Sequence, residues 1–561
     1  MSKIQVEVRF TDKLESIRVG GRQEMEIPNA IKTKSVEEWF EPAAGRVNWD
    51  GLGAEIKAMD FSDEKNAAYS FLFNGPEDKK QEFMECVGRF CLGEEAQQET
   101  KKKTVQDYLQ EAKKNQQAGN AEMAFQQYMV AARDYGHPEA QLEVARCYQN
   151  GIGVAKNAEN AVVWYKKAAE QGNAEAQCAL GECYYQARGV EKDDKEARRW
   201  YEAAATQENA TAQYMTGRLY AELSYNEAAV KWYTKAAEQE CPEAQYELGD
   251  CYSYGIGVAK DLEQAFEWYK KAAEQGNATA QCSLGYCYEN GIGVEKDDIK
   301  ATEWYQKSAE QGNCRAQCNL GYCYDIGEGV EKNSAKAVEW YRKAAENGNA
   351  AAQKNLGGCY EYGRGVALSK AAAAEWYRKA ADQGDVDAQY KLGLFYENGY
   401  GVAQNKEEAV KWYRKSAEQG YADAQYNLAE LLYNVAGFLS WKDGEEAFKW
   451  YQKAAKQGHA GAQDSLGLCY EETDMEMEIY WGMGMGVEKD SAKAVEWYRK
   501  AAEQGLDSAQ YHLGRCYEGG HGVTKDLTKA AEWYRKAAEQ GLGSAQYHLG
   551  RCYEGGHGVT K

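Results

Sequence analysis

The chain has 561 residues, of which 44% are hydrophobic and 12% aromatic, so it carries enough apolar surface to fold. Its formal net charge of −21 argues against nucleic acids and anionic membranes as partners, because those surfaces are bound by clustered lysine and arginine. The opening residues do not resemble a secretory signal and no apolar run reaches about 18 residues, which predicts a cytoplasmic protein without membrane spans.

Residues 1–92 have a pattern of their own. Residues 4–10 alternate apolar and polar side chains, and residues 16–19 follow before two glycines, which predicts a β-hairpin. Further short elements are predicted as helices at 36–40, 49–59 and 76–90 and as a strand at 69–73. We therefore predict a small α+β domain of unknown function, followed by a charged linker at 93–103.

From residue 140 onward, one pattern recurs to the end of the chain. An Ala-Gln dipeptide returns, usually after 36 residues and otherwise after 32, 38 or 47, which is typical of a repeat array. Positions in each unit are counted from this anchor alanine. The anchors are Ala140, Ala176, Ala212, Ala244, Ala280, Ala316, Ala352, Ala388, Ala424, Ala462, Ala509 and Ala545.

Each unit predicts a pair of helices. In one of them, Ala280, Leu284 and Cys287 recur at helical spacing and indicate a first helix. A Gly-x-Gly-Val turn ends that pattern, and Asp297 or Asp298 is placed to cap a second helix that carries a Trp-Tyr pair. Two such helices cannot bury their apolar faces alone, so the pairs are expected to stack on their neighbours.

Two strings in these units resemble a known family. Leu-Gly-x-Cys-Tyr-x-x-Gly-x-Gly-Val, followed by Lys-Ala-x-x-Trp-Tyr-x-Lys-Ala-Ala-x-Gln-Gly, is similar to the Sel-one-like repeat, a subgroup of the tetratricopeptide-repeat superfamily. The resemblance covers residues 104–561 and includes eleven Trp-Tyr pairs. It implies a mainly α fold behind the small α+β domain, namely an α-solenoid that forms a right-handed superhelix of antiparallel helix pairs. It also implies a scaffold or adaptor that holds other proteins.

Not all units are equal. Residues 104–139 lack the Trp-Tyr pair and predict a divergent capping helix pair, and residues 140–561 predict about eleven helix pairs and a final half repeat. The units from Ala212 and Ala424 lack the glycine turn. The unit from Ala462 contains a methionine- and aromatic-rich insertion at 471–485, which is interpreted either as a contact loop or as a tolerated one.

The two last copies of the first helix are identical in sequence, at 508–525 and 544–561. The second of them is followed by no capping helix. Either the natural array is longer or duplicated here, or this apolar end docks onto another chain or another copy of the protein.

Nine of the sixteen cysteines share one slot of the repeat. Equivalent residues on neighbouring packed helices lie about 9 Å apart, which exceeds the limit of about 7 Å for a disulfide. We therefore predict reduced cysteines that act as small buried hydrophobes.

The sequence offers little catalytic chemistry. The Gly-x-Gly-Val turn joins helix to helix and does not follow a strand, so it is interpreted as structural and not as a phosphate loop. His512 and Cys516 are four residues apart, but no second pair of ligands lies nearby in sequence. We expect no metal, no cofactor and no enzymatic activity in the array.

Candidate binding residues lie on the first helix, on the face opposite its packing residues. Tetratricopeptide-type arrays, which the chain resembles, use this face as a concave groove. The predicted partner-binding residues at positions two and six are Tyr214, Tyr246, Asp250, Tyr286, Tyr322, Tyr390, Tyr426, Tyr511, Arg515, Tyr547 and Arg551. An acidic row at position nine would select basic partner segments, and the two arginines would favour acidic ones. The alternative is that each tyrosine packs on a tyrosine of the next repeat.

The predicted function is a non-enzymatic scaffold that binds partner proteins or peptides on the concave face. A second class stays open, in which the chain is a regulatory or sensor subunit of an enzyme or of a bacterial defence or signalling complex, with the N-terminal domain contacting the effector. A third is a weak activity of that domain, in a polar pocket among Trp39, Trp49 and Tyr69.

Overall fold

The structure is a computed structural model, which describes residues 4–10, 14–19, 23–24, 54–60, 68–73, 103–436, 441–471 and 487–558. It divides into two compact units, Met1–Asn209 and Ala210–Lys561. Both contain paired helices, and the first also contains a β-sheet.

Five described strands of the first unit form an antiparallel sheet in the order β3-β2-β1-β5-β4. The strands are β1 Ile4–Phe10, β2 Leu14–Val19, β3 Gln23–Glu24, β4 Ala54–Asp60 and β5 Ala68–Phe73. The predicted hairpin is present because β1 pairs with β2, and the strand predicted at 69–73 lies within β5.

The helix predicted at 49–59 is wrong over residues 54–59, which belong to β4 and pair with β5. Apolar residues alternate there with charged ones, and this period of two favours a strand over a helix. The helices predicted at 36–40 and 76–90 lie outside the described residues, so the small α+β domain as a whole stays a prediction.

Described helices follow one another in pairs, here called the first and second helix of each repeat. In the first unit they are α1 Val105–Gln117, α2 Ala121–Arg133, α3 Pro138–Asn150, α4 Ala158–Glu170, α5 Ala174–Tyr185 and α6 Asp194–Ala205. The predicted capping pair is α1 with α2. Two further pairs, each with its Trp-Tyr dipeptide, follow it.

The second unit contains nine pairs and a last first helix among its described residues. They are α7 Ala210–Glu222, α8 Asn226–Glu238, α9 Pro242–Tyr254, α10 Leu262–Glu274, α11 Ala278–Asn290, α12 Asp298–Glu310, α13 Cys314–Ile326, α14 Ser334–Glu346, α15 Ala350–Tyr362, α16 Lys370–Asp382, α17 Val386–Asn398, α18 Lys406–Glu418, α19 Ala422–Ala436, α20 Trp441–Lys456, α21 Ala460–Glu471, α22 Ser491–Glu503, α23 Asp507–Gly519, α24 Leu527–Glu539 and α25 Gly543–Gly555.

Helix ends are set by side chains of the turns. The Asn277 side chain accepts a hydrogen bond from the Ala280 amide at 2.9 Å and caps α11. Of the two predicted caps of α12, Asp297 is the one used, because its carboxylate accepts from the Lys300 amide at 3.0 Å. Of the insertion at 471–485, residues 472–485 lie outside the described residues. Helix α7 joins α8 by a short turn without the two glycines.

Within each pair a buried tyrosine fills the space between the two helices. The Tyr305 ring of α12 is fully buried and lies against Gly285 of α11, where an added Cβ would stand 2.7 Å from the ring. Leu284 and Cys287 are also buried, as their spacing predicts, and they pack in one cluster with Tyr269 of the preceding repeat. Burial raises the pKa of the Cys287 thiol to about 12, which leaves it protonated and inert at neutral pH.

Neighbouring repeats meet through tryptophan and through the glycine turn. Trp304 of α12 packs on the core of the preceding repeat, next to Phe266, and the Lys307 ammonium lies 3.9 Å from its ring centroid. Gly293 has a φ of +68°, and a Cβ on it would overlap the carbonyl oxygen of Leu262 in that preceding repeat. The Gly-x-Gly-Val turn is therefore a packing element, as its position between helices predicts.

In every described repeat but the last, a buried glutamine follows the anchor alanine, and most of these glutamines connect three helices. Gln281 of α11 donates to the Ala273 carbonyl oxygen of α10 at 3.1 Å and accepts from the Gln311 side chain at the end of α12 at 2.7 Å. The same two bonds recur along the second unit, for example at Gln389. These glutamines satisfy orphan carbonyls at helix ends and hold each first helix between two second helices.

One repeat lacks half of this arrangement, which gives a first prediction. Asn347 stands where other repeats have glutamine, and the Oε1 atom of buried Gln317 has no hydrogen-bond partner among the described residues. Asn347→Gln is expected to supply that donor and stabilise the second unit by about 1 kcal/mol. The measurement is the urea midpoint of unfolding. The converse change, Gln311→Asn, should lower the midpoint, and equal midpoints for all three chains would contradict the prediction.

Candidate partner-binding surface

The position-two tyrosines are mostly packed. Five of them are half-buried, and their ring centroids lie 5.8–6.2 Å from a buried tyrosine of the second helix: Tyr214 on Tyr233, Tyr246 on Tyr269, Tyr390 on Tyr413, Tyr426 on Tyr451 and Tyr511 on Tyr534. Burial raises the pKa of Tyr390 to about 12. The packing alternative therefore describes these rings, but the tyrosine they meet belongs to their own repeat and not to the next one. The sixth, Tyr547, is 65% exposed.

Acidic residues at position nine bind the buried tyrosines of the second helices. The hydroxyls of five tyrosines donate to such carboxylates at 2.6–2.7 Å: Tyr305 to Glu289, Tyr377 to Glu361, Tyr413 to Glu397, Tyr498 to Glu471 and Tyr534 to Glu518. In three repeats in which position nine is not acidic, position six supplies the carboxylate, as in Asp250, which accepts from Tyr269 at 2.6 Å. These acidic groups, Asp250 included, thus have a role inside the repeat that the sequence did not reveal.

The exposed tyrosines on the first-helix face are at position six. Tyr286 of α11 is 41% exposed and Tyr322 of α13 is 46% exposed, in consecutive repeats. Among the described residues neither hydroxyl has a hydrogen-bond partner, and the Arg315 guanidinium carbon lies 5.7 Å from the Tyr286 ring centroid. Because the position-two rings are mostly packed and these position-six rings are exposed, Tyr286 and Tyr322 are the predicted residues that are available to a partner.

The predicted arginines lie near the end of the second unit. Both Arg515 and Arg551 are exposed, and the Arg515 guanidinium lies 3.9 Å from the Glu471 carboxylate. The nearby His548 ring contacts Tyr511, with centroids 5.5 Å apart. Arginine and aromatic side chains are thus both present at this end of the surface, and its preference for acidic segments stays a prediction.

Three exposed apolar residues at position ten were missed. Tyr254, Ile326 and Tyr362 are 71%, 44% and 58% exposed and lie one helical turn beyond position six. Most other units have asparagine or glycine at this position, so a comparison of the units position by position would have found them. Together with Tyr286 and Tyr322 they define the aromatic stripe, a row of exposed apolar side chains along α9, α11, α13 and α15.

The comparisons with known proteins agree with this architecture. The family model for the Sel1 repeat matches the chain over nearly all of residues 138–561. The chain belongs to the Sel1 repeat family. The matched segments are 138–173, 174–209, 210–241, 242–277, 278–313, 314–349, 350–385, 386–421, 422–459, 480–506, 507–542 and 543–561.

One similar solved structure is c5321, described as a protective antigen of uropathogenic Escherichia coli strains displaying an SLR fold. It is 38% identical in sequence, the match covers 76% of this chain and 89% of that one, and the TM-score is 0.63. A Sel1 repeat protein from Oxalobacter formigenes is 30% identical over 55% of this chain and 91% of that one, with a TM-score of 0.43. The comparison with curated proteins gave no match.

Proteins of this family share a general role. Sel1 and related tetratricopeptide-like repeat proteins mediate contacts between proteins, and their solenoids are typically non-catalytic. No described helix of this chain is long and apolar enough to cross a membrane. Across the described residues, no group of three histidine, cysteine or acidic side chains is arranged to hold a metal ion.

Proposed function

We propose that this Sel1 repeat protein is a non-catalytic scaffold that binds partner proteins or peptides on the aromatic stripe of its first helices. The observation that carries the proposal is that Tyr286 and Tyr322 are exposed, whereas five of the six tyrosines at position two are half-buried. Exposed tyrosines on rigid helices bind with little loss of side-chain entropy and are enriched at binding hot spots.

Substitution of the two exposed tyrosines tests the site. Tyr286→Ala with Tyr322→Ala is expected to weaken partner binding about thirtyfold or more, since one hot-spot residue contributes about 2 kcal/mol. The partner is first captured by a photo-cross-linking residue placed at position 286, identified by mass spectrometry and purified. Its affinity for the wild-type chain and for the variant is then measured by calorimetry.

The matched control removes equally exposed side chains elsewhere. Tyr225 and Ile299 are 61% and 62% exposed and lie at the starts of second helices, so Tyr225→Ala with Ile299→Ala should leave the affinity unchanged. Equal affinity of the tyrosine variant and the wild-type chain would exclude the aromatic stripe. A partner captured by cross-linking residues placed within 1–92 but not by the one at position 286 would instead favour the regulatory-subunit alternative.

A further inference from the structure

A group of side chains from two consecutive repeats converges at one end of the aromatic stripe. This lysine-tyrosine cluster consists of Tyr362, Arg364, Lys370, Lys391 and Tyr400. Lys391 is the one lysine among the twelve residues at position three, and the repeats before and after it do not combine all five side chains. The fold does not require these residues, because other repeats pack in the same way without them.

The contacts within the cluster are direct. The Lys391 ammonium lies 3.2 Å from the Tyr362 hydroxyl. The Lys370 ammonium lies 5.6 Å from the Tyr362 ring centroid and 5.5 Å from that of Tyr400. Arg364 lies 6.0 Å from the Tyr362 ring. Both tyrosines are exposed, Tyr362 at 58% and Tyr400 at 46%, so the cations are held at the rim of an aromatic surface.

The charges are arranged with the positive side toward solvent. Buried Glu361 accepts from Tyr377 at 2.6 Å and lies 3.7 and 3.5 Å from the ammonium groups of Lys370 and Lys391. Buried Asp325 pairs with Arg364 at 3.1 Å. The two carboxylates are about 10% exposed or less, but the three cations are 31–49% exposed. Three cations over two buried carboxylates leave a surplus positive charge at the surface.

We propose that the lysine-tyrosine cluster binds an acidic segment of a partner protein. The inference rests on the proposed function, since it assigns the chemistry of the partner at one end of the aromatic stripe. A positive surface is notable in a chain of net charge −21 and gives complementarity to carboxylates. Tyrosine hydroxyls are suited to the same ligand, because the repeats themselves use them to bind carboxylates at 2.6–2.7 Å.

The test uses the full chain and a short fluorescein-labelled peptide of alternating glutamate and serine, followed by fluorescence polarisation. Arg364→Ile, Lys370→Ser and Lys391→Ser are combined, because Ile292, Ser334 and Ser283 occupy the same positions in other repeats. This variant is expected to bind the peptide about tenfold more weakly. The charge-matched control combines Lys231→Ser, Lys260→Ser and Lys525→Ser, three exposed lysines outside the cluster, and should bind as the wild-type chain does.

A second variant keeps the charges. Tyr362→Phe with Tyr400→Phe leaves the rings in place and is expected to bind about fivefold more weakly, because two hydrogen-bond donors are lost. Circular dichroism establishes that each variant is folded. Salt should weaken binding of the wild-type chain.

Absent binding of the glutamate peptide, equal binding of a lysine peptide, or no effect of either cluster variant would overturn the inference. A preference for a phosphorylated serine peptide over the glutamate peptide would also overturn it. The proposed function has a separate readout: loss of the cross-linked partner in the Tyr286 and Tyr322 variant would sustain the scaffold even if the acidic peptide failed to bind.

Discussion

Replacing Gly293 with alanine is expected to destabilise the repeats on either side of it by about 3 kcal/mol. A left-handed backbone costs alanine about 1–2 kcal/mol, and a shift of packed structure adds about 1–3 kcal/mol. Both costs apply here, because Gly293 has a φ of +68° and its added methyl group would overlap the backbone of Leu262. The backbone cannot rotate away as a side chain can. The contact between the Gly293 turn and Leu262 of the preceding repeat, here called the seam, must therefore open.

Gly312→Ala is the matched control for this change. Gly312 has a φ of +92°, but no atom lies within 4 Å of the position of an added Cβ, so only the backbone cost of about 1 kcal/mol is expected. Hydrogen exchange of the amides in α10 and α12 measures the local stability, which suits an array that does not unfold in one step. Similar exchange rates in the two variants would show that the turn does not hold the seam.

Alkaline pH is expected to unfold the repeats at about pH 11. Among the described residues the largest fully buried side chains are all tyrosines, and burial is the main cause that raises their pKa. An unfolded tyrosine ionises at about pH 10. Above that pH the unfolded state loses protons that the folded state keeps, so the free energy of unfolding falls. Each such residue contributes about 1.4 kcal/mol per pH unit, and the contribution is fully present only below pH 10.

Tyrosinate absorbance and circular dichroism, recorded together during the titration, measure this effect. The nine fully buried tyrosines among the described residues should ionise only as helix content is lost. They are Tyr128, Tyr165, Tyr201, Tyr305, Tyr341, Tyr413, Tyr451, Tyr498 and Tyr534. Tyr305→Phe should lower stability at neutral pH, because the hydrogen bond to Glu289 is lost, and should reduce the slope above pH 10. Ionisation of all tyrosines while the helices persist would contradict the prediction.

Most of the repeat architecture could be predicted because it depends on local pattern. The spacing of Ala280, Leu284 and Cys287 identifies a packed helix face, and each of these residues is buried. The turn glycines and the cap at Asp297 also follow from neighbouring residues in the sequence. In the strand Ala54–Asp60 the periods of two and 3.6 residues compete over a short segment, and the prediction was wrong there.

The candidate site was harder to predict, because exposure depends on contacts between helices. Positions two and six are four residues apart and so differ by only about 40° around a helix. Half-buried Tyr246 can therefore be distinguished from exposed Tyr286 only after the second helix is placed. The contact of Lys391 with Tyr362 joins residues 29 apart in sequence, and no local period reports it. Comparison of equivalent positions between repeats is the signal that would have indicated it.

The seam at Gly293 has a consequence for how such genes change. The turn contacts the main chain of the preceding repeat, which every residue type possesses. This contact therefore depends little on which side chain the preceding repeat has there. Recombination that duplicates or removes one whole unit would therefore leave the new junction well packed. Such an event changes the distance between surface residues on the two sides of the junction. Gain or loss of whole repeats would therefore alter the length of the array while each repeat keeps its stability.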